Sequence, residues 1–507
     1  MWLVNYWRGR KKQSDPVPTD DVIQLANLDP TKDGSMELAF RFDQVLCPNE
    51  LRGALERLFQ IGNWRILGGR LRQGDGPTGS KFEIHVPAQH DASRPAFLYE
   101  TLEVNVPIHD HPVGSQVPKG VDRVSILGNQ PSVEPLRQAT KTPSLIKHLV
   151  AANLPLLAFD HINFRDATII LMSFPHGLID GVGYSLFLKA WEAVLHGRED
   201  EVPDCYSLAD DRVAEFTKQR PTERYLLRAH ALRSMSFFWF IVRIMWEKLW
   251  YEKVEQHTVC IAGWFVSQLR KDIMIDLVKN QTINAEKIEF VSESDVLLAW
   301  MTRTFVALAK PAGHRRLVLS NVVNIRPAIL PSGKDTAYLK NAVSAAYTIK
   351  PVSQILREPV SSLAAQIRSS LIQQRTRAQI QAGLALCAEI DRNPVYPPLV
   401  GTADMFWVLW TNWDKADFLG LDFSPAVRFP ATGGGPVSSI TPSCVLKTDV
   451  NNILWPGGGI VAGRDSAGNW LVQWSLRKST RAQLEKLLAG INEQERANQD
   501  GSDIEQL

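Results

Sequence analysis

Ser173-Phe174-Pro175-His176-Gly177-Leu178-Ile179-Asp180-Gly181-Val182-Gly183 places one histidine between two stretches of different hydrophobic period. Before it, Thr168 to Phe174 is short, apolar and rich in β-branched residues, and it stops at Pro175, which predicts a buried strand. After it, Val182, Leu186, Phe187, Ala190, Trp191, Val194 and Leu195 recur at steps of one, three and four, the spacing of one helix face, with His196-Gly197 as the stop. His176 therefore stands on a strand-to-helix turn, where two rigid elements can hold a side chain at the mouth of a cleft. Asp180 falls at the helix N-cap, where a carboxylate accepts from exposed backbone N–H groups. An isolated His before Gly is most often a turn residue, so further signals have to decide between turn and catalyst.

The string His176-Gly177-Leu178-Ile179-Asp180-Gly181 supplies one, because it resembles the H-x-x-x-D-G motif of the BAHD acyltransferases. His176, Asp180 and Gly181 occupy its three defined positions; Pro175 stands where related enzymes often carry a second His. Further along, Asn324-Ile325-Arg326 is similar to the family's Asp-x-Arg, which implies that Arg326 pairs with Asp180, while Asn324 replaces the usual carboxylate. Tyr338-Leu339-Lys340-Asn341-Ala342 resembles Tyr-Phe-Gly-Asn-Ala, with Lys340 in place of Gly. The family's D-F-G-W-G signature is matched only by Asp422-Phe423; Ser424-Pro425-Ala426 follows, and Pro425 fixes φ and lacks an N–H, so this loop cannot copy the usual one. The resemblance runs from about residue 22 to 492. It implies an α/β (α+β) chain of two chloramphenicol-acetyltransferase-like domains, each a mixed sheet flanked by helices, with a channel at their interface.

Bulk properties agree with that size. A chain of 507 residues exceeds one ordinary core and suits two domains. Lys plus Arg number 56 against 54 for Asp plus Glu, so no polyanion partner and no nucleic acid are implied. Cys47, Cys205, Cys260, Cys387 and Cys444 are odd in number and widely spaced, which speaks against a disulfide framework or a cysteine zinc site and for a reducing, cytoplasmic setting. His109-Asp110-His111 lies between prolines without a third ligand at suitable spacing, so no metal is expected. No phosphate-binding glycine loop and no G-x-S-x-G elbow occurs, which removes the nucleotide and serine-hydrolase readings.

In chain order, residues 1–21 form a flexible lead with Pro16 and Pro18 in a polar setting, and 22–215 an N-terminal acyltransferase domain with a first helix starting near Pro48. Residues 216–257 form a crossover. A C-terminal domain spans 258–492, opening with a strand over Thr258 to Val266, and 493–507 is a flexible tail. Ser292-Glu293-Ser294-Asp295 reads as a capping box, and Leu317 to Val323 and Trp470 to Leu476 as strands. Within the crossover, residues 236–251 carry seven aliphatic or phenyl residues and three Trp around Arg243, Glu247 and Lys248. The run is too short to span a bilayer. Its wide apolar face is expected to pack on the domain junction or the acceptor tunnel, the alternative being weak contact with a membrane surface.

The resemblance implies acyl transfer from an acyl-coenzyme A co-substrate, acetyl-CoA foremost, to a hydroxyl of a hydrophobic small molecule such as a fungal terpenoid or polyketide, by a monomer without a permanently bound cofactor. His176 is the catalytic base, since a neutral imidazole with pKa about 6.5 suits proton abstraction at neutral pH. Asp180, Gly181, Arg326 and Asp422 are structural at the site. Cations for the coenzyme phosphates are not singled out; Arg315-Arg316 and Lys447 read as surface charges. Two alternatives stay open: a transferase fed by an acyl carrier protein or recruited to another reaction, and a binding protein that has lost catalysis.

Overall fold

The computed structural model describes residues 17–25, 35–74, 82–143, 146–280, 290–331, 333, 335–391, 398–428, 439–448 and 456–505. Most of the expected lead lies outside these residues. Among the described residues, twelve strands build the two main sheets: β1 Ser35–Phe42, β2 Leu98–Glu103, β3 Ser125–Asn129, β4 Ala158–Asn163, β5 Thr168–Pro175, β6 Val254–Ile261, β7 Arg316–Asn324, β8 Val343–Pro351, β9 Phe406–Asn412, β10 Cys444–Lys447, β11 Gly459–Arg464 and β12 Trp470–Arg477.

One sheet has the order β10-β1-β5-β4-β2, the other β8-β7-β9-β11-β12-β6-β3. Both are mixed, with β2 parallel to β4 in the first and β7, β9 and β11 parallel in the second. Every residue of β5 is buried, as expected of an apolar run in the middle of a covered sheet. The sheets trade strands across the middle of the chain. β10, from the second half, pairs antiparallel with β1, and β3, from the first half, pairs antiparallel with β6. The two main hydrophobic cores are mixed accordingly: Phe418, Phe423 and Leu446 belong to the first, Val124 to the second.

Helix α1 (Pro48–Leu58) starts at its proline. It packs on α2 (Gly181–Leu195), whose Trp191 Nε1 donates to the Leu51 carbonyl at 3.1 Å. Phe187, Ala190, Trp191 and Val194 of the expected helix face are buried. The capping box at Ser292 forms as read, opening a helix over Glu293–Ala309.

Four expectations need correction. The strand expected over Thr258 to Val266 is β6, four residues earlier, and residue 258 falls inside it. The strand takes in the polar residues Gln256 and His257 because β12 and β3 pair its backbone on either side, and His257 Nδ1 donates to Asn129 Oδ1 at 2.9 Å. Gly263 then begins a helix, Gly263–Asn280. The boundary expected between residues 215 and 216 falls inside a short helix, Arg212–Lys218, capped by the Asp211 carboxylate. Residues 493–505, expected as a flexible tail, continue the helix Lys478–Glu505, in line with the good helix formers Glu, Gln, Arg and Ala there. Lastly, α3 (Ser234–Trp250) does not bury its wide apolar face: Phe240 alone is fully buried, and the half-buried side carries Arg243, Ile244 and Glu247.

Candidate active site

The turn after β5 is fixed from three directions. Asp180 caps α2, its Oδ1 accepting from the Gly183 N–H at 2.9 Å. The same oxygen accepts from Arg326 Nη2 at 2.9 Å, while Oδ2 accepts from Arg326 Nη1 at 3.1 Å and from the Ala342 N–H at 2.8 Å. Asp180 is 3 % and Arg326 6 % exposed, so this is a buried bidentate pair with its lone pairs used. Arg326 also donates from Nε to the Tyr338 carbonyl at 2.8 Å, and from Nη2 to the Lys340 carbonyl at 2.8 Å. Asn324, standing in place of a carboxylate, accepts from Arg326 Nη1 at 3.2 Å and from its backbone N–H at 3.0 Å. One ion pair therefore locks the first-half turn onto the second-half segment 338–342.

Asn341 completes the lock, its Nδ2 donating to the carbonyls of His176 at 3.0 Å and Gly177 at 3.1 Å. The His176 Nδ1 lies 3.2 Å from the Ile179 carbonyl. A carbonyl only accepts, so Nδ1 carries the proton and the neutral ring keeps its lone pair on Nε2. Gly181 and Gly183 are small because the chain comes too close for a side chain. A Cβ on Gly181 would stand 2.7 Å from Trp413 Nε1, and one on Gly183 2.2 Å from the Leu339 carbonyl oxygen.

His176 lines a cavity of about 510 Å³ between the two sheets, together with Asp180, Gly181 and Asn341. Its far wall is one face of the second sheet, with Ser320 and Val322 on β7, Ala345 and Tyr347 on β8, and Trp407, Leu409 and Thr411 on β9. Lys447 also lines it and is 9 % exposed, so the surface position expected for it is wrong; β10 carries it inward between β1 and the second sheet. Arg315 is buried too, donating to the carbonyls of Asp404 and Met405 at 2.8 Å each. It borders a second cavity, of about 400 Å³, under α3; Trp407 lines both spaces.

Asp422 does not join this group. It lies at the other end of α2, where its N–H donates to Glu192 Oε1 at 2.8 Å and its carbonyl meets His196 Nε2 at 2.9 Å. Burial would raise its pKa, but N–H donors from Ser424 and Ile440, the Ser424 hydroxyl and His196 outweigh it and hold the carboxyl below the usual range. The helix of 15 residues between the two ends is about 22 Å long at 1.5 Å per residue. Among the described residues, no group of three or more His, Cys, Asp or Glu side chains is placed to hold a metal ion.

A histidine on a strand-to-helix turn, facing a cavity between two mixed sheets that share strands, is the architecture of the chloramphenicol-acetyltransferase-like fold. Among solved structures, the chain is similar to Fusarium graminearum TRI101 complexed with coenzyme A and T-2 mycotoxin, with a TM-score of 0.62 and 14 % identity over 92 % of this chain and 97 % of that one. No family model matches the sequence. Curated relatives include the O-acyltransferase pboC of Aspergillus ustus, 41 % identical over 91 % of this chain and 97 % of the relative, and the O-acyltransferase ausP of Aspergillus calidoustus, 36 % identical over 97 % and 100 %. The chain belongs to the fungal O-acyltransferases of BAHD type, and is an acyltransferase enzyme.

Sequence reading had no role for Asn341, Gly183, Ser320, Thr411 or Trp407. The signal available was the alternation along β9, where Trp407, Leu409 and Thr411 share one face. That face is recognisable as a cavity wall only once the other sheet is placed opposite it.

Proposed function

We propose that the protein transfers an acyl group, acetyl foremost, from acyl-coenzyme A to a hydroxyl of a hydrophobic small molecule, such as a fungal terpenoid or polyketide, and that it acts as a monomer. The observation that carries this reading is His176 lining the inter-sheet cavity with its Nδ1 engaged by the Ile179 carbonyl. In that tautomer Nε2 takes the hydroxyl proton as the oxygen attacks the thioester carbonyl carbon. When the tetrahedral intermediate collapses, the carbon–sulfur bond breaks and the same proton passes to the departing thiolate. The apolar wall of Val322, Ala345, Leu409 and Ile460 suits a hydrophobic acceptor. Donors to the oxyanion come from the wall's hydroxyls: Ser320 Oγ on β7 accepts from Trp407 Nε1 at 2.7 Å, which leaves its own hydrogen to donate, and Thr411 on β9 lines the same wall.

Direct transfer within a ternary complex is supported by the cysteines. None lines the His176 cavity, and burial pushes the thiols of Cys205 and Cys444 up to about 12 and that of Cys260 up to about 11, away from thiolate character. The test is thiol release from acetyl-CoA with a panel of terpenoid and polyketide alcohols, paired with intact-mass spectrometry of enzyme quenched after acetyl-CoA alone. The expected result is thiol that appears only when an alcohol is present, and an unmodified chain. A stoichiometric acetyl adduct on one side chain would replace direct transfer by a two-step route, and absence of coenzyme A binding would overturn the reading altogether.

A further inference from the structure

Helix α3 is built inside out. Its inward side carries Phe240, Ile244 and the pair Arg243–Glu247, with Glu247 Oε1 3.3 Å from Arg315 Nη2. Its outward side carries Met235, Phe238, Trp239, Val242, Met245, Trp246, Leu249 and Trp250, of which Met235 is 66 %, Trp250 71 % and Leu249 78 % exposed. The rings of Trp246 and Trp250 stack at 4.9 Å on that side. A contiguous aromatic surface of this kind has a partner.

Charge narrows the choice of partner. Between Arg220 and Lys253 the chain has seven Arg or Lys against three Glu, and of those three Glu247 is turned inward. At the helix start Arg228 and Arg233 share Glu389; at its end Lys248 and Lys253 are exposed. A second copy docked face to face would set this basic rim against its own repeat. The chain's own residues 1–12, MWLVNYWRGRKK, would add Arg8, Arg10, Lys11 and Lys12 and no acid. An anionic bilayer surface accepts both features, because Trp and Phe settle at the headgroup level while Lys and Arg meet lipid phosphates and carboxylates. The cavity under α3 supplies a reason for such docking: Trp407 lines both it and the His176 cavity, so an acceptor dissolved in lipid would meet the enzyme beside the reacting site.

We propose that α3 docks the enzyme on anionic phospholipid surfaces, apolar side down, without crossing them; no helix among the described residues is long and apolar enough to do so. The test is co-sedimentation of the full chain with vesicles of phosphatidylcholine and of phosphatidylcholine with phosphatidylserine, at low and high salt, a readout that needs no turnover. The wild type should pellet with the phosphatidylserine vesicles and less so at high salt. Phe238→Glu/Trp246→Glu should remain in the supernatant with an unchanged melting temperature, since both side chains point outward. Lys248→Glu/Lys253→Glu, which spares the apolar surface, should lose the phosphatidylserine preference. Wild-type protein that stays in the supernatant with both vesicles overturns the proposal, and so does an aromatic variant that pellets like the wild type. A wild-type dimer that this variant turns into a monomer, without vesicle binding, overturns it in favour of a second copy.

Discussion

Asp180 receives four donors on two oxygens, from its own helix, from Arg326 twice and from Ala342. Removing one partner of such a pair leaves a buried charge uncompensated, which costs about 3 to 5 kcal/mol. Arg326→Ala and Asp180→Asn should both melt well below the wild type, with activity falling as the turn loosens. Thermal melts beside initial rates check this, and an Asp180→Asn protein as stable as the wild type but inactive would assign Asp180 to the chemistry. The His176 and Asp180 positions were legible because they sit on one continuous motif. The part Asn341 plays was not, although the resemblance includes its position, because its carbonyl partners at His176 and Gly177 lie more than 160 positions away in the sequence.

At the scale of elements, α2 holds the turn against the second half through its glycines. Gly183→Ala would press a methyl on the Leu339 carbonyl and should cost about 1 to 3 kcal/mol, measurable by denaturant unfolding. The neighbouring strand β4 makes a pH prediction. His161 donates from Nε2 to Asn163 Oδ1 at 2.9 Å and accepts at Nδ1 from the Tyr99 hydroxyl, and burial pushes its pKa from 6.5 down to about 4. The unfolded chain takes up this proton near pH 6.5 and the folded chain does not. His161 stability is therefore present above pH 6.5 and is lost as pH falls toward 4, by about 2 kcal/mol at pH 5. His161→Gln should flatten the fall in melting temperature between pH 7 and 5; an unchanged slope would refute the assignment. Elements with a clear period of their own, β5, α1, α2 and the capped helix at Ser292, were readable from sequence. Period alone does not say which side of a helix meets the protein, and for α3 the charged side does, because Glu247 finds Arg315 there.

For the whole molecule, a division by sequence position misses how the halves are joined. β10 is four residues long and carries no period that would send it to the first-half sheet, and β3 joins the second-half sheet through a register break opposite β6. Both exchanges are long-range, and one of them reaches the cavity: β10 brings Lys447 to its lining, where the turn after β5 brings His176 and β9 brings Thr411 and Trp407. The measurement that bears most directly on this account compares wild type and His176→Ala for coenzyme A affinity by calorimetry and for single-turnover transfer from acetyl-CoA to an accepted alcohol. A general base contributes a factor of about 10² to 10⁴, so the variant should bind coenzyme A as the wild type does and transfer at least about a hundredfold more slowly. A variant that transfers at the wild-type rate would contradict the account.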